Sequence, residues 1–158
     1  MGTTAFFGEF SVGLVLALGA IGSALGIGAA GRAAAGAWAK EGKEGKPLRF
    51  TYIVLVGMPL SQTIYSFIFM FIGLKNLAYD YQNLPTYAGA LLGLGLACGL
   101  AEMFSAWVQG LIGAAAVRCM SESEGKGLAF LIISMGIAET VGLFAWVFLL
   151  LVKPGIGA

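Results

Sequence analysis

The sequence predicts an all-α membrane protein whose four transmembrane helices form two tandem helical hairpins. Three observations lead there. Of 158 residues, 59% are hydrophobic and 11% charged, with a mean hydropathy of +0.90, whereas soluble domains carry about 25% charged residues. The apolar residues fall into four stretches, each longer than the roughly 20 residues a bilayer requires. The second half also repeats the first at an offset of 77 residues, which sets Met58 on Met135, Gln62 on Glu139, Thr63 on Thr140 and Phe67 on Phe144. The first hairpin is therefore assigned to residues 1–79 and the second to 80–158.

The first span, 6–39, is rich in glycine, from Gly13 through Gly19, Gly22 and Gly26 to Gly36. Small residues let helix backbones approach closely in lipid, where packing drives association. The second span, 50–77, is bulky and aromatic. It contains Pro59, which lacks the amide that would bond the carbonyl of Leu55 and splays nearby carbonyls. The third span, 86–117, is glycine-rich again, and GLIGAAA at 110–116 resembles GRAAAGA at 31–37. The fourth, 127–152, holds a single charged residue, Glu139. A crowded helix thus alternates with a bulky one.

The connections are short. KEGKEGKPLR (40–49) holds Lys40, Lys43, Lys46 and Arg49, and RCMSESEGK (118–126) holds Arg118 and Lys126. The tyrosine-bearing second connection, 75–85, has only Lys75, and the C-terminal tail only Lys153. By the positive-inside rule the first and third connections are cytoplasmic and both termini lie outside a cell membrane that the chain crosses several times. Tyr79, Tyr81 and Tyr87 then belong to an outer aromatic belt.

Composition excludes several functions. A net charge of +1 without a basic run argues against nucleic acid. Histidine, the commonest neutral metal ligand and general base, is absent. Cys98 and Cys119 have no CxxC spacing and read as small buried apolar residues. Gly26 to Gly31 spell GxGxxG, but no strand precedes them, so they are not a nucleotide site. No cleavable signal peptide is evident. With no ATP site, the chain is not an enzyme by itself.

Glu139 stands near the middle of an apolar helix. A carboxylate there costs at least about 2.5–3.5 kcal/mol on insertion scales, and such residues mark ion or proton paths. The bland alternative is a protonated acid hydrogen-bonded between helices for packing. Counting from the cytoplasmic connections, Gln62 lies 13 residues past Arg49, Glu139 13 past Lys126 and Gln109 9 before Arg118. All three then sit roughly 13–20 Å into the membrane. Ser61 precedes Gln62, and Tyr65 shares its helical face at i+3. Carboxylate, two amide oxygens, a hydroxyl and a carbonyl near Met58 make an all-oxygen set that suits a hard cation such as Na+. A proton carrier needs only the acid and one acceptor, and the other polar groups would be costly excess. Taken singly, glutamine and serine also serve as interhelical glue worth about 0.6 kcal/mol each.

PLSQTIY (59–65), FSAWVQG (104–110) and AETVGLF (138–144) resemble the proteolipid rotor subunit, called c or K, of vacuolar-type rotary ATPases in its two-hairpin bacterial form. The resemblance covers nearly the whole chain. It implies a membrane ring of many copies, with the glycine-rich helices lining the inside and the ion-binding carboxylate on the fourth helix. It further implies Na+ as the ion and H+ as its competitor, with Ser61 as hydroxyl ligand, Gln62 and Gln109 as amide ligands and Glu139 as carboxylate. Tyr65 takes the place of the tyrosine that locks the carboxylate, and Met58 that of the backbone-carbonyl ligand. The implied partners are further copies of the chain, lipid, a stator subunit supplying an arginine, and central-stalk subunits docking on the cytoplasmic connections. Glu102 departs from the family pattern. Seven residues before Gln109, it is expected about 10 Å nearer the outside, either protonated in the ring's inner wall or hydrogen-bonded between subunits. Two other classes compete: a small four-helix cation-coupled antiporter, and a purely structural proteolipid in which Glu139 only packs.

Overall fold

A computed structural model describes residues 2–153; Met1 and residues 154–158, the ends of the two expected hairpins, lie outside the described residues. Four helices long and apolar enough to cross a membrane follow one another: α1 (Thr3–Lys43), α2 (Tyr52–Ala78), α3 (Leu84–Glu122) and α4 (Leu128–Val152). Among the described residues there is no strand. At 1.5 Å per residue α1 and α3 are about 60 Å long, twice the roughly 30 Å of a hydrocarbon core. Both continue past the expected span ends into the charged connections, because Lys and Glu sustain a helix. α1 stops only just before Gly45, which takes φ +66°.

α1 and α3 form the tight centre of the unit. Gly22 lies against the backbone of Met103, Gly26 against the carbonyl of Ala106, and Gly110 against the backbone of Gly26. A Cβ at any of these positions would collide with main chain, so glycine here is what lets the two helices touch. α4 lies along α3 and meets α2 over the Ser61–Ile68 turn and around Phe69–Leu74. Only 11% of its apolar window is buried, against 44% for α3. Its exposed residues Phe130, Ile133, Ile137, Val141, Phe144, Phe148 and Leu151 recur every three or four positions and make one outward-facing apolar stripe.

α2 is irregular. At Pro59 it tightens into a 3-10 turn, Met58–Leu60, and at Phe69–Leu74 it loosens into a π turn. Pro59 thus sits in the tightened turn, and the Met58 carbonyl beside it accepts from the Ser61 hydroxyl. Beside the π turn the Lys153 ammonium donates to the carbonyl of Ile72 at 3.2 Å.

Two apolar clusters fill the unit end to end. One, including Val15, Phe69, Leu74, Leu91 and Cys98, lies toward the termini. The other, including Ala34, Tyr52, Leu55, Val117 and Met135, lies toward the first and third connections. Between them along the helices come the buried polar residues Ser23, Gln62, Ser66, Glu102, Ser105 and Gln109. The polar layer is therefore at mid-height.

The first connection is clamped. Glu41 is buried and accepts from Arg49 Nη1 at 2.6 Å, the Arg49 amide at 3.0 Å and the Tyr52 hydroxyl at 2.6 Å. Trp38 Nε1 donates to the Arg49 carbonyl at 2.9 Å. Arg49 is thus a paired, partly buried residue within a loop whose lysines are exposed. Cys98 is buried, as expected, but Cys119 is exposed near the end of α3. The helix outlasts the apolar span and carries it beyond the packed core. Tyr79 and Tyr81 are exposed, while Tyr87 packs on the cluster near the termini.

Candidate ion-binding site

The site is assembled from one turn of each of α2, α3 and α4. The Tyr65 hydroxyl on α2 donates to Glu139 Oε1 at 2.9 Å. From α3, Gln109 Nε2 donates to Glu139 Oε2 and to the Met135 carbonyl, each at 3.2 Å. Glu139 therefore has one donor on each oxygen, an arrangement that holds an ionised carboxylate in place. Gln109 is fully buried, and its Oε1 has no hydrogen-bond partner. A buried amide oxygen left unmatched costs about 1–3 kcal/mol, and a cation ligated by it would remove that cost.

On the α2 side the Ser61 hydroxyl shares its one proton between the Met58 carbonyl at 3.0 Å and Gln62 Oε1 at 3.1 Å. The 3-10 turn at Pro59 brings that carbonyl within reach of Ser61. Gln62 is fully buried, and its Nε2 donates to Ser105 Oγ at 3.2 Å. Ser105 in turn donates to the carbonyl of Ala138, the residue before Glu139, at 2.9 Å. Tyr65, Gln109 and Glu139 are thus joined directly. Ser61, Gln62 and Met58 form a second group, which Ser105 ties to the backbone carbonyl of Ala138 and not to the Glu139 carboxylate.

Ser105 is the member that sequence reading missed. Its signal was its position four residues before Gln109, which puts both on one face of α3. The groups bonded to Glu139 are a phenol hydroxyl and an amide, both neutral, and the same layer holds a second carboxyl, Glu102. Among the described residues no cluster of three metal-ligating His, Cys, Asp or Glu side chains exists.

Glu102 is fully buried, and its carboxyl has no hydrogen-bond partner within the chain. It lies inside the unit between α3 and α4, where the missing side chain of Gly142 makes room for its carboxyl. The helical face was foreseen, but the neighbour it turns to was not.

Among known families, the one described as the C subunit of ATP synthase matches the chain twice, over residues 10–73 and 92–152. A search of curated proteins finds no match.

Proposed function

The chain belongs to the family of ATP synthase C subunits, and we propose that it is the Na+-carrying form of this rotor subunit, in a V-type rotary ATPase. Membership makes it a multi-pass membrane proteolipid and a non-catalytic, ion-translocating subunit of homo-oligomeric rings that work against stator subunits. It displaces both the antiporter and the purely structural proteolipid. The finer reading is that residues 1–79 and 80–158 are two copies of one hairpin, with Gln62 in the first where the second has Glu139. Each chain then carries one ion per four helices.

Gln109 carries the reading. One end of its amide holds Glu139, while its buried Oε1 has no protein partner. A protonated Glu139 offers at most one O–H to this oxygen and nothing to the other oxygens of the layer. Na+ at Glu139, ligated also by Gln109, Gln62 and Ser61, uses them. Met58 would add its carbonyl and Tyr65 would keep the carboxylate locked. Neutralised by the ion, Glu139 can face lipid while the ring turns. At the stator, an arginine favours the bare carboxylate and releases the ion. Central-stalk subunits dock on the cytoplasmic connections, 40–49 and 118–126.

A hydrophobic carbodiimide tests this, since it modifies a carboxyl only when protonated. Proton and Na+ compete for Glu139, so raising the pH strengthens apparent Na+ binding. Millimolar Na+, but not K+, is expected to slow labelling of Glu139 near neutral pH. Equal rates with and without Na+ would mean that the rotor carries H+.

A further inference from the structure

Glu102 takes no part in the site just described, yet it is completely enclosed. Its exposure is 0%, and neither Oε1 nor Oε2 has a hydrogen-bond partner. It turns from α3 toward α4 at Gly142, where a Cβ would stand 2.7 Å from Glu102 Oε2 and 3.0 Å from Ser105 Oγ. Gly142 follows Glu139 by three residues and Glu102 precedes Ser105 by three. The carboxyl therefore sits about one helical turn from the ion site.

An ionised carboxylate without donors in such a place is far costlier than the neutral acid, and a second negative charge near Glu139 adds repulsion. The surroundings supply no countercharge. α4 contributes Glu139, α2 the Tyr65 hydroxyl, and α3 itself Cys98 one turn away. α1 packs on this stretch of α3 through Leu18 and Gly22 and brings no titratable residue there.

We propose that Glu102 is a second proton-binding site, which keeps its proton while Glu139 holds a cation. The inference about the bound state rests on the reading of Glu139 as a cation carrier. Its consequence is selectivity by charge. Two ionised carboxylates a turn apart would suit a divalent cation, which prefers carboxylate-rich oxygen sites. A neutral Glu102 leaves a net charge of minus one, which one monovalent ion balances.

Absolute infrared absorption of the intact ring at neutral pH, recorded with and without Na+, reads protonated carboxyls directly. With Na+ saturating, Glu139 is ionised, and a protonated-acid carbonyl band is expected to persist. That band is expected to vanish in Glu102→Gln, a nearly isosteric change. A wild-type ring without the band under Na+, or a variant that retains it, overturns the proposal. If Glu102→Gln does not assemble, Gly142→Ala decides. The added methyl crowds Oε2 and shifts the band if it belongs to Glu102, and an unmoved band overturns the assignment. Failure of the Na+ reading looks different. Na+ would then remove no band at all, one protonated acid would disappear with Glu139→Gln and another with Glu102→Gln, and the second proton site would stand without the first claim.

Discussion

Replacing Gln109 by alanine removes two interactions that act on the ion in the same direction. The Nε2 donor to Glu139 Oε2, at 3.2 Å, holds the carboxylate in the position from which it would ligate the ion, and its loss frees the side chain to turn away. The Oε1, buried and without a protein partner, is the ligand itself. One polar partner lost from a buried site costs about 1–3 kcal/mol, so the Na+ dissociation constant should rise roughly 5- to 150-fold. Alanine also leaves a cavity, and Gln109→Met serves as the control because it restores volume without a donor or a hard acceptor. The assay is calorimetric titration of Na+ into the isolated ring at fixed pH. Both variants are expected to weaken binding. Recovery of wild-type affinity in the methionine variant would make Gln109 a packing residue, and Kd values within about twofold of wild type in both would refute the ligand assignment.

Three further outcomes are expected. Glu41→Gln removes the charged acceptor that holds Arg49 and Tyr52; hydrogen bonds to charged groups are worth about 1.5–3 kcal/mol. Opening of the first connection, read as tryptic cleavage at Lys43, should therefore increase about 10- to 150-fold, and an unchanged rate would show that the clamp does not hold the loop. Gly110→Ala places a methyl against the backbone of Gly26. Overpacking of this kind costs about 1–3 kcal/mol, so less ring should survive detergent extraction, and an undiminished yield would argue against tight α1–α3 contact. A cysteine placed at Lys46 should react with a membrane-impermeant thiol reagent in inverted vesicles and not in intact cells, and the reverse pattern would turn the orientation over.

The height of the site was readable from the sequence because a helix rises by a fixed amount per residue. Counting from Arg49, Arg118 and Lys126 put Gln62, Gln109 and Glu139 at one level, and the structure joins Gln109 to Glu139 there. Tyr65 followed from its i+3 relation to Gln62. Azimuth was harder. Glu102 was assigned to the face of Gln109, but which neighbour that face meets depends on Gly142, whose lack of a side chain read only as a packing feature. Ser105 was hidden for a related reason: a lone serine beside Phe104 and Trp107 acquires a role only when Gln62 and the Ala138 carbonyl arrive from other helices. The π turn over Phe69–Leu74 has no local signal, since FMFIGL suits an ordinary helix equally well. Charge counting likewise treated Arg49 as a free loop cation, because pairing with Glu41 is visible only once the connection has folded back.

The number of Na+ ions held by each chain follows most directly from a single carboxylate per four helices. Equilibrium binding of radioactive Na+ to the isolated, intact ring measures it, with protein quantified by amino-acid analysis. With a carboxylate at Glu139 and an amide at Gln62, saturation is expected at one Na+ per chain of four helices, undisplaced by K+ and abolished in Glu139→Gln. No saturable Na+ binding, or two ions per chain, would contradict it.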